Sequence, residues 1–215
     1  KIREYQSSPV QIISNSFLRL LGYYIAEGHC SHKDYFIVSS ADQEIISDFT
    51  EALKLLGLKS KKRVWGKYDY QISSSFWAEI ISKLCGDNSK NKRLPHFWPQ
   101  LSNKQLSHLL KAYFSADGGV DSEVISCTTA SKELASDITY ALLRFGIVAR
   151  IRERNIKIPN KDVWGKYWAV SIGGKKFMEI FQKEISFSLG RKNESLRKII
   201  HKTYNTNVDI IPINQ

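Results

Sequence analysis

Val64-Trp65-Gly66-Lys67-Tyr68 is repeated, residue for residue, as Val163-Trp164-Gly165-Lys166-Tyr167. A repeat at long spacing is read before anything else, because it fixes how many times one structural unit occurs. Working outward, Ala52-Leu53-Lys54-Leu55-Leu56-Gly57 matches Ala141-Leu142-Leu143-Arg144-Phe145-Gly146. Further upstream, Gly22-Tyr23-Tyr24-Ile25-Ala26-Glu27-Gly28 matches Ala112-Tyr113-Phe114-Ser115-Ala116-Asp117-Gly118. Downstream, Glu79-Ile80 with Lys83 matches Glu179-Ile180 with Lys183. The spacing is 90 residues between positions 27 and 117, 89 between 57 and 146, and 100 between 79 and 179. The order never changes, so the chain is a duplication. Its second copy carries a longer hairpin around Arg154 to Lys161.

The polar stretch Gly86 to Ser102, with two prolines, breaks both the helical and the strand periodicity. It divides the chain into an N-terminal half (1–98) and a C-terminal half (99–215). Each half reads alike. A helix of apolar period spans about Ser14 to Ala26, and its counterpart about Ser102 to Ala116. Strands follow at Tyr35 to Ser40 and Val124 to Thr129, then helices ending in glycine at Gly57 and Gly146. Two strands flank each Trp-Gly-Lys-Tyr run, and another helix closes the unit. With a short strand after Gly28 and Gly118, the pattern is αββαββα twice: an α+β fold with antiparallel sheets. A last helix is expected at Asn193 to Tyr204, with an irregular tail from Asn205 to Gln215.

The 215 residues are enough to bury a real core, and 42% hydrophobic with 25% charged is a globular composition. Thirty-two Lys+Arg against 21 Asp+Glu leave a net charge of +11, which points to a polyanionic partner, nucleic acid first. Cys30, Cys85 and Cys127 form no CxxC pair and no even framework, so they read as free thiols. No apolar run approaches the ~18 residues of a membrane span. The expectation is a soluble, intracellular monomer with internal pseudo-twofold symmetry and no membrane partner.

Glu27 and Asp117 hold equivalent positions at the ends of their helices, each followed by glycine. A single acid there reads as a solvated residue beside a glycine cap, because the helix C-terminus carries partial negative charge. Two equivalent acids read differently. Gly22 with Ala26, and Ala112 with Ala116, set small residues four apart, which lets two helix backbones approach closely. Pairing across a pseudo-twofold axis then brings the carboxylates together, and such a pair calls for a divalent cation, Mg²⁺ by ligand type. A metal beside a basic surface suggests phosphodiester hydrolysis.

The stretches Leu20-Leu21-Gly22-Tyr23-Tyr24-Ile25-Ala26-Glu27-Gly28 and Leu110-Lys111-Ala112-Tyr113-Phe114-Ser115-Ala116-Asp117-Gly118 resemble the two motifs of the LAGLIDADG homing endonucleases. The first keeps Leu, Gly, Ala and Gly with Glu as its acid; the second has Lys and Ala where Ala and Gly are usual. The resemblance implies two four-stranded sheets forming a saddle over DNA, with the motif helices at the interface. It implies metal binding by Glu27 and Asp117, and cutting of both strands of a long duplex across the minor groove; because the halves differ at most positions, the target should be only weakly palindromic. It also implies a basic residue in each half that assists the reaction. Lys92-Arg93-Leu94-Pro95 fits the Lys before Leu-Pro of intein-type members, and the spacing of 100 carries Lys92 onto Lys192. These lysines are expected to stabilise charge or polarise the nucleophilic water; a solvated loop lysine is the competing reading at each.

Alternate strand residues share a face. Lys59, Lys61 and Arg63 alternate, as do Arg150, Arg152 and Arg154, and Lys67 and Lys166 are equivalent in the repeat. These are the expected DNA contacts, Arg for guanine edges and Lys for phosphates; a lysine-guarded sheet edge is the alternative for any one strand. His29, Cys30 and His32 lack a second ligand pair for zinc, and Gly173-Gly174-Lys175-Lys176 lacks the spacing of a phosphate loop. An RNA-binding splicing maturase and a non-catalytic DNA-binding protein on the same scaffold remain alternatives to the Mg²⁺-dependent endonuclease. The lack of splicing-type end residues favours an intron-encoded product over an intein.

Overall fold

Among the described residues, five helices start at side chains that accept the first free backbone N–H groups. Ser14, Asp42 and Ser74 cap α1 (Asn15–Glu27), α2 (Gln43–Leu55) and α3 (Ser75–Cys85). Ser102 and Ser131 do the same for α4 (Asn103–Asp117) and α5 (Lys132–Leu143), Ser102 in a reciprocal capping box with Gln105. Helices α2 and α5 both end where Gly57 and Gly146 turn at φ +70 and +76, a conformation open to glycine. The computed structural model describes residues 13–64, 66–121, 123–157 and 163–201. Trp65, the hairpin tip at 158–162, and the expected helix end and tail from 202 onward lie outside the described residues.

Between the helices run β1 (Gly28–His32), β2 (Tyr35–Ser39), β3 (Lys61–Lys62) and β4 (Asp69–Ser73) in the first half. The second half has β5 (Gly119–Val120), β6 (Val124–Thr129), β7 (Arg150–Lys157) and β8 (Trp164–Gly173), then α6 (Lys175–Glu184) and α7 (Gly190–Ile200). The sheets have the orders β1-β2-β4-β3 and β5-β6-β8-β7, all neighbours antiparallel. The order is the same in each half, as the duplication requires. In the second sheet Ile125 faces Ile172 and Cys127 faces Val170, all buried, so that face packs on the helices. The motif helices α1 and α4 form the centre of the molecule, with Leu18, Leu20, Leu21, Leu106, Leu109 and Leu110 fully buried.

One segment departs from its sequence expectation. Helix α7 begins at Gly190, three residues before Asn193, because its first turn is capped from the other half: the Gly190 N–H donates to the Glu44 carboxylate at 3.0 Å. The stretch 86–102 packs against the second half. There the Ser131 hydroxyl donates to the Lys92 carbonyl (2.6 Å), the Leu94 N–H donates to Asp137 (3.0 Å), and Arg144 donates to the Pro99 carbonyl (3.0 Å).

Candidate metal centre at the helix interface

Gly22 sets the closeness of α1 and α4. A Cβ placed there would lie 2.7 Å from the Ala112 Cβ and would run into the Leu109 carbonyl oxygen. The helices therefore meet backbone to backbone, and their last residues, Glu27 and Asp117, leave the interface together. Glu27 directly precedes β1, and Asp117 precedes β5 with one residue between, these being the first strand of each sheet.

The electrostatics show the two acids in one field. Asp117 is pushed up to about 7, first by burial and then by the negative charge of Glu27, with Lys192, Tyr113 and Lys92 acting in the opposite direction. Burial also raises Glu27, opposed by Lys192. An acid held out of water beside another acid favours its neutral form unless a cation replaces the lost hydration.

Lys92 and Lys192 lie on this centre, and in a symmetric way. The Lys92 ammonium, on a residue only 3% exposed, donates to the Tyr24 carbonyl at 2.8 Å and sits 3.4 Å from the centre of the Tyr24 ring. The Lys192 ammonium donates to the Ser115 carbonyl at 2.6 Å and also to the Gly118 carbonyl. Each lysine thus caps the last carbonyls of its own half's motif helix, where helix dipole and carboxylate both place negative charge. Burial pushes Lys92 down to about 7, against the pull of Cys85, Cys30, Asp87 and Asp117. Lys192 falls to about 8, through burial and then Arg191, opposed by Asp117, Asp42 and Glu27. The resemblance singled out Lys92, and the repeat spacing carried it onto Lys192. Neither could find that they bond to helix ends, because those partners are backbone atoms.

The donor set fits a hard cation. Among the described residues no three His, Cys, Asp or Glu side chains are grouped to hold a metal. Glu27 and Asp117 would supply two carboxylates, with the remaining positions left to water and phosphate oxygens. That is the way Mg²⁺ is usually held.

Strand pairing sorts the basic residues by face. Arg150, Arg152 and Arg154 stand opposite Ser171, Ala169 and Tyr167, on the sheet face away from Ile125, Cys127, Val170 and Ile172. In the first sheet Lys61 stands opposite Gln71, and the Arg63 N–H bonds to the Asp69 carbonyl. Lys61 and Arg63 so share the corresponding outer face, which also carries Tyr35, and the Arg63 guanidinium lies 5.9 Å from the Tyr35 ring centre. Lys59 precedes the strand and is exposed, and Lys67 is exposed in the following turn. Lys166 is different: it stands opposite Asn155 on the helix-side face, in an ion pair with Glu153 at 2.9 Å.

The profile of the LAGLIDADG-like domain matches residues 14–84 and again 104–186. The chain belongs to the LAGLIDADG family. A replication factor C small subunit of Methanocaldococcus jannaschii is 35% identical over 202 residues, 91% of this chain and 11% of that protein. The replication factor C small subunit of Thermococcus kodakarensis is 32% identical over 200 residues, 90% of this chain and 22% of its own length. A DNA-directed RNA polymerase subunit Rpo1C of M. jannaschii is 30% identical over 210 residues, again 22% of its length. The chain thus spans less than a quarter of each of these relatives.

Among solved structures, the homing endonuclease I-DmoI in complex with DNA and Mn superposes with TM-score 0.56 at 14% identity, over 81% of this chain and 98% of that one. The N-terminal LAGLIDADG domain of DUF199/WhiA gives 0.59 at 15%, over 89% of each. Both likenesses concern the fold: paired αββαββα units around two central helices.

Proposed function

We propose that the protein is a site-specific, Mg²⁺-dependent double-strand DNA endonuclease of the homing type. The observation that carries this reading is the convergence of Glu27 and Asp117 at a helix interface too tight for a side chain at Gly22, with a lysine holding each helix end, Lys92 buried and Lys192 half-buried. Two anionic groups turned toward a phosphate backbone are a burden to a protein that only binds, and an asset to one that hydrolyses. That weighs against the maturase and the purely DNA-binding readings.

Glu27 and Asp117 would hold the cation, which when bound activates water and stabilises the leaving oxygen of a phosphodiester. Lys92 and Lys192 keep the carboxylate-bearing helix ends fixed and offset their charge. Arg150, Arg152, Arg154, Lys61 and Arg63, with Lys59 and Lys67 beside them, lay a basic outer face against the duplex and supply its phosphate and base contacts. With one motif per half in a single chain, the protein acts as a monomer on a weakly palindromic site. Lys166 is engaged by Glu153 on the other face and contributes less to binding.

The relatives support a mobile carrier. A replication factor subunit and a polymerase subunit share no activity, yet each matches over the same segment of about 200 residues while most of its own length lies outside the match. Such a portable block inside a host protein favours an intein-borne nuclease over an intron-encoded one. Incubation with a randomised duplex library and Mg²⁺, followed by sequencing of the cut ends, tests the activity. A single recovered site is expected, with cutting abolished by Glu27→Gln or Asp117→Asn. Absent cutting, or cutting indifferent to both substitutions, overturns the reading.

A further inference from the structure

Tyr113 carries the one buried side-chain polar atom without a hydrogen-bond partner among the described residues. The residue is fully buried in α4, one turn before Asp117. Orphaned buried hydroxyls are rare, because leaving one unpaired costs about 1–3 kcal/mol, so each calls for a reason.

The duplication supplies the comparison. The equivalent residue in the first half, Tyr23, donates its hydroxyl to Asp48 on α2. The repeat spacing of 89 carries Asp48 onto Asp137 of α5 (48 to 137). Asp137 makes no hydrogen bond to Tyr113 and accepts the Leu94 N–H from the segment that joins the halves. The buried Tyr113 hydroxyl instead lies near the Asp117 carboxyl and the Cys127 thiol, without a hydrogen bond to either. Residues four apart on a helix share a face, so this approach to Asp117 follows from the helix itself. The first half has no such arrangement, since its tyrosine is tied to α2 together with Arg19, which also bonds Asp48.

We propose that Tyr113 is a positioning residue for the metal-binding carboxylate of Asp117: its hydroxyl, unpaired in the metal-free protein, donates to the inner oxygen once a cation draws the outer one. The proposal rests on the metal-dependent reading above. A carboxylate ligand whose second oxygen is held by a buried donor is fixed in orientation, and outer-shell donors of this kind govern metal affinity. It also makes the two acids unequal, since Glu27 has no tyrosine hydroxyl in the corresponding place.

The test compares the full chain with Tyr113→Phe, Tyr23→Phe and Glu27→Gln. Mn²⁺ binding is followed by loss of the free-ion paramagnetic resonance signal, and stability by thermal unfolding. Tyr113→Phe is expected to unfold at the same or a higher temperature, since it removes an unpaired group, yet to bind Mn²⁺ about tenfold more weakly. Tyr23→Phe is expected to unfold at a lower temperature with Mn²⁺ affinity retained. If Tyr113→Phe binds Mn²⁺ as the parent does, the hydroxyl is a relic of the duplication and the proposal is overturned, with the metal site intact. If the parent binds no better than Glu27→Gln, the metal site itself falls, and this inference with it.

Discussion

Gly22 and Asp117 show how much depends on single atoms. Any Cβ at position 22 meets the backbone of α4 at Leu109, and a carbonyl in a helix cannot step aside. Gly22→Ala is expected to destabilise the fold by about 1–3 kcal/mol, read by denaturant unfolding, and to separate the two acids. Asp117 gives a pH dependence of definite sign. Its carboxyl stands near 7 in the folded protein against the ordinary 3.8, so the folded state holds its proton more tightly. Without metal, this group lowers stability as pH rises from about 4 to 7, and the loss is complete above 7. Asp117→Asn removes that slope. Thermal unfolding in chelator is expected to show a gain for Asp117→Asn that grows from pH 4 to 7 and then levels. Cleavage at limiting Mg²⁺ is expected to run oppositely, falling as pH drops below about 7, because the proton then competes with the cation for this carboxylate.

At the scale of elements, each half holds the other's lysine segment. The Ser131 hydroxyl, at the N-cap of α5, donates to the Lys92 carbonyl; Asp42, at the N-cap of α2, pairs with Arg191 at 2.6 Å, and Glu44 receives the Gly190 N–H. Position 42 corresponds to 131 by the repeat, so the clasp is as symmetric as the motif. Ser131→Ala is expected to cost about 1 kcal/mol as a lost cap. It is also expected to slow single-turnover cleavage at saturating DNA with little change in DNA affinity, both restored by Ser131→Thr. Strand and helix order were legible, because period, caps and the duplication all speak locally: β6 runs from Val124 to Thr129 as its alternation predicts. The clasp was not legible. The early start of α7 depends on Glu44, 146 residues away in sequence, and no local pattern encodes such a partner. The carboxylates and lysines could be read from equivalence between halves, whereas Tyr113 shows itself only where that equivalence breaks, at Asp137.

The whole molecule is symmetric in topology and unequal in reach. Strand β7 runs eight residues, all exposed, while β3 has two. The second half therefore presents the longer basic ribbon, and its half-site should carry more of the affinity. Replacing Arg150, Arg152 and Arg154 together by Ala is expected to weaken binding more than replacing Lys59, Lys61 and Arg63. In a titration of binding against salt, each set should flatten the slope by roughly the number of phosphate contacts removed. Lys166→Ala should leave that slope nearly unchanged, because its charge is spent on Glu153. Among the described residues no helix is long and apolar enough to cross a membrane.

The central claim, that two carboxylates from duplicated helices share one hard cation, is tested most directly by anomalous diffraction from crystals of the protein bound to its selected duplex and Mn²⁺. A manganese peak between the Glu27 and Asp117 carboxylates, with a phosphate oxygen completing its shell, is the result the account predicts. Manganese bound elsewhere, or acids turned apart into solvent, contradicts it.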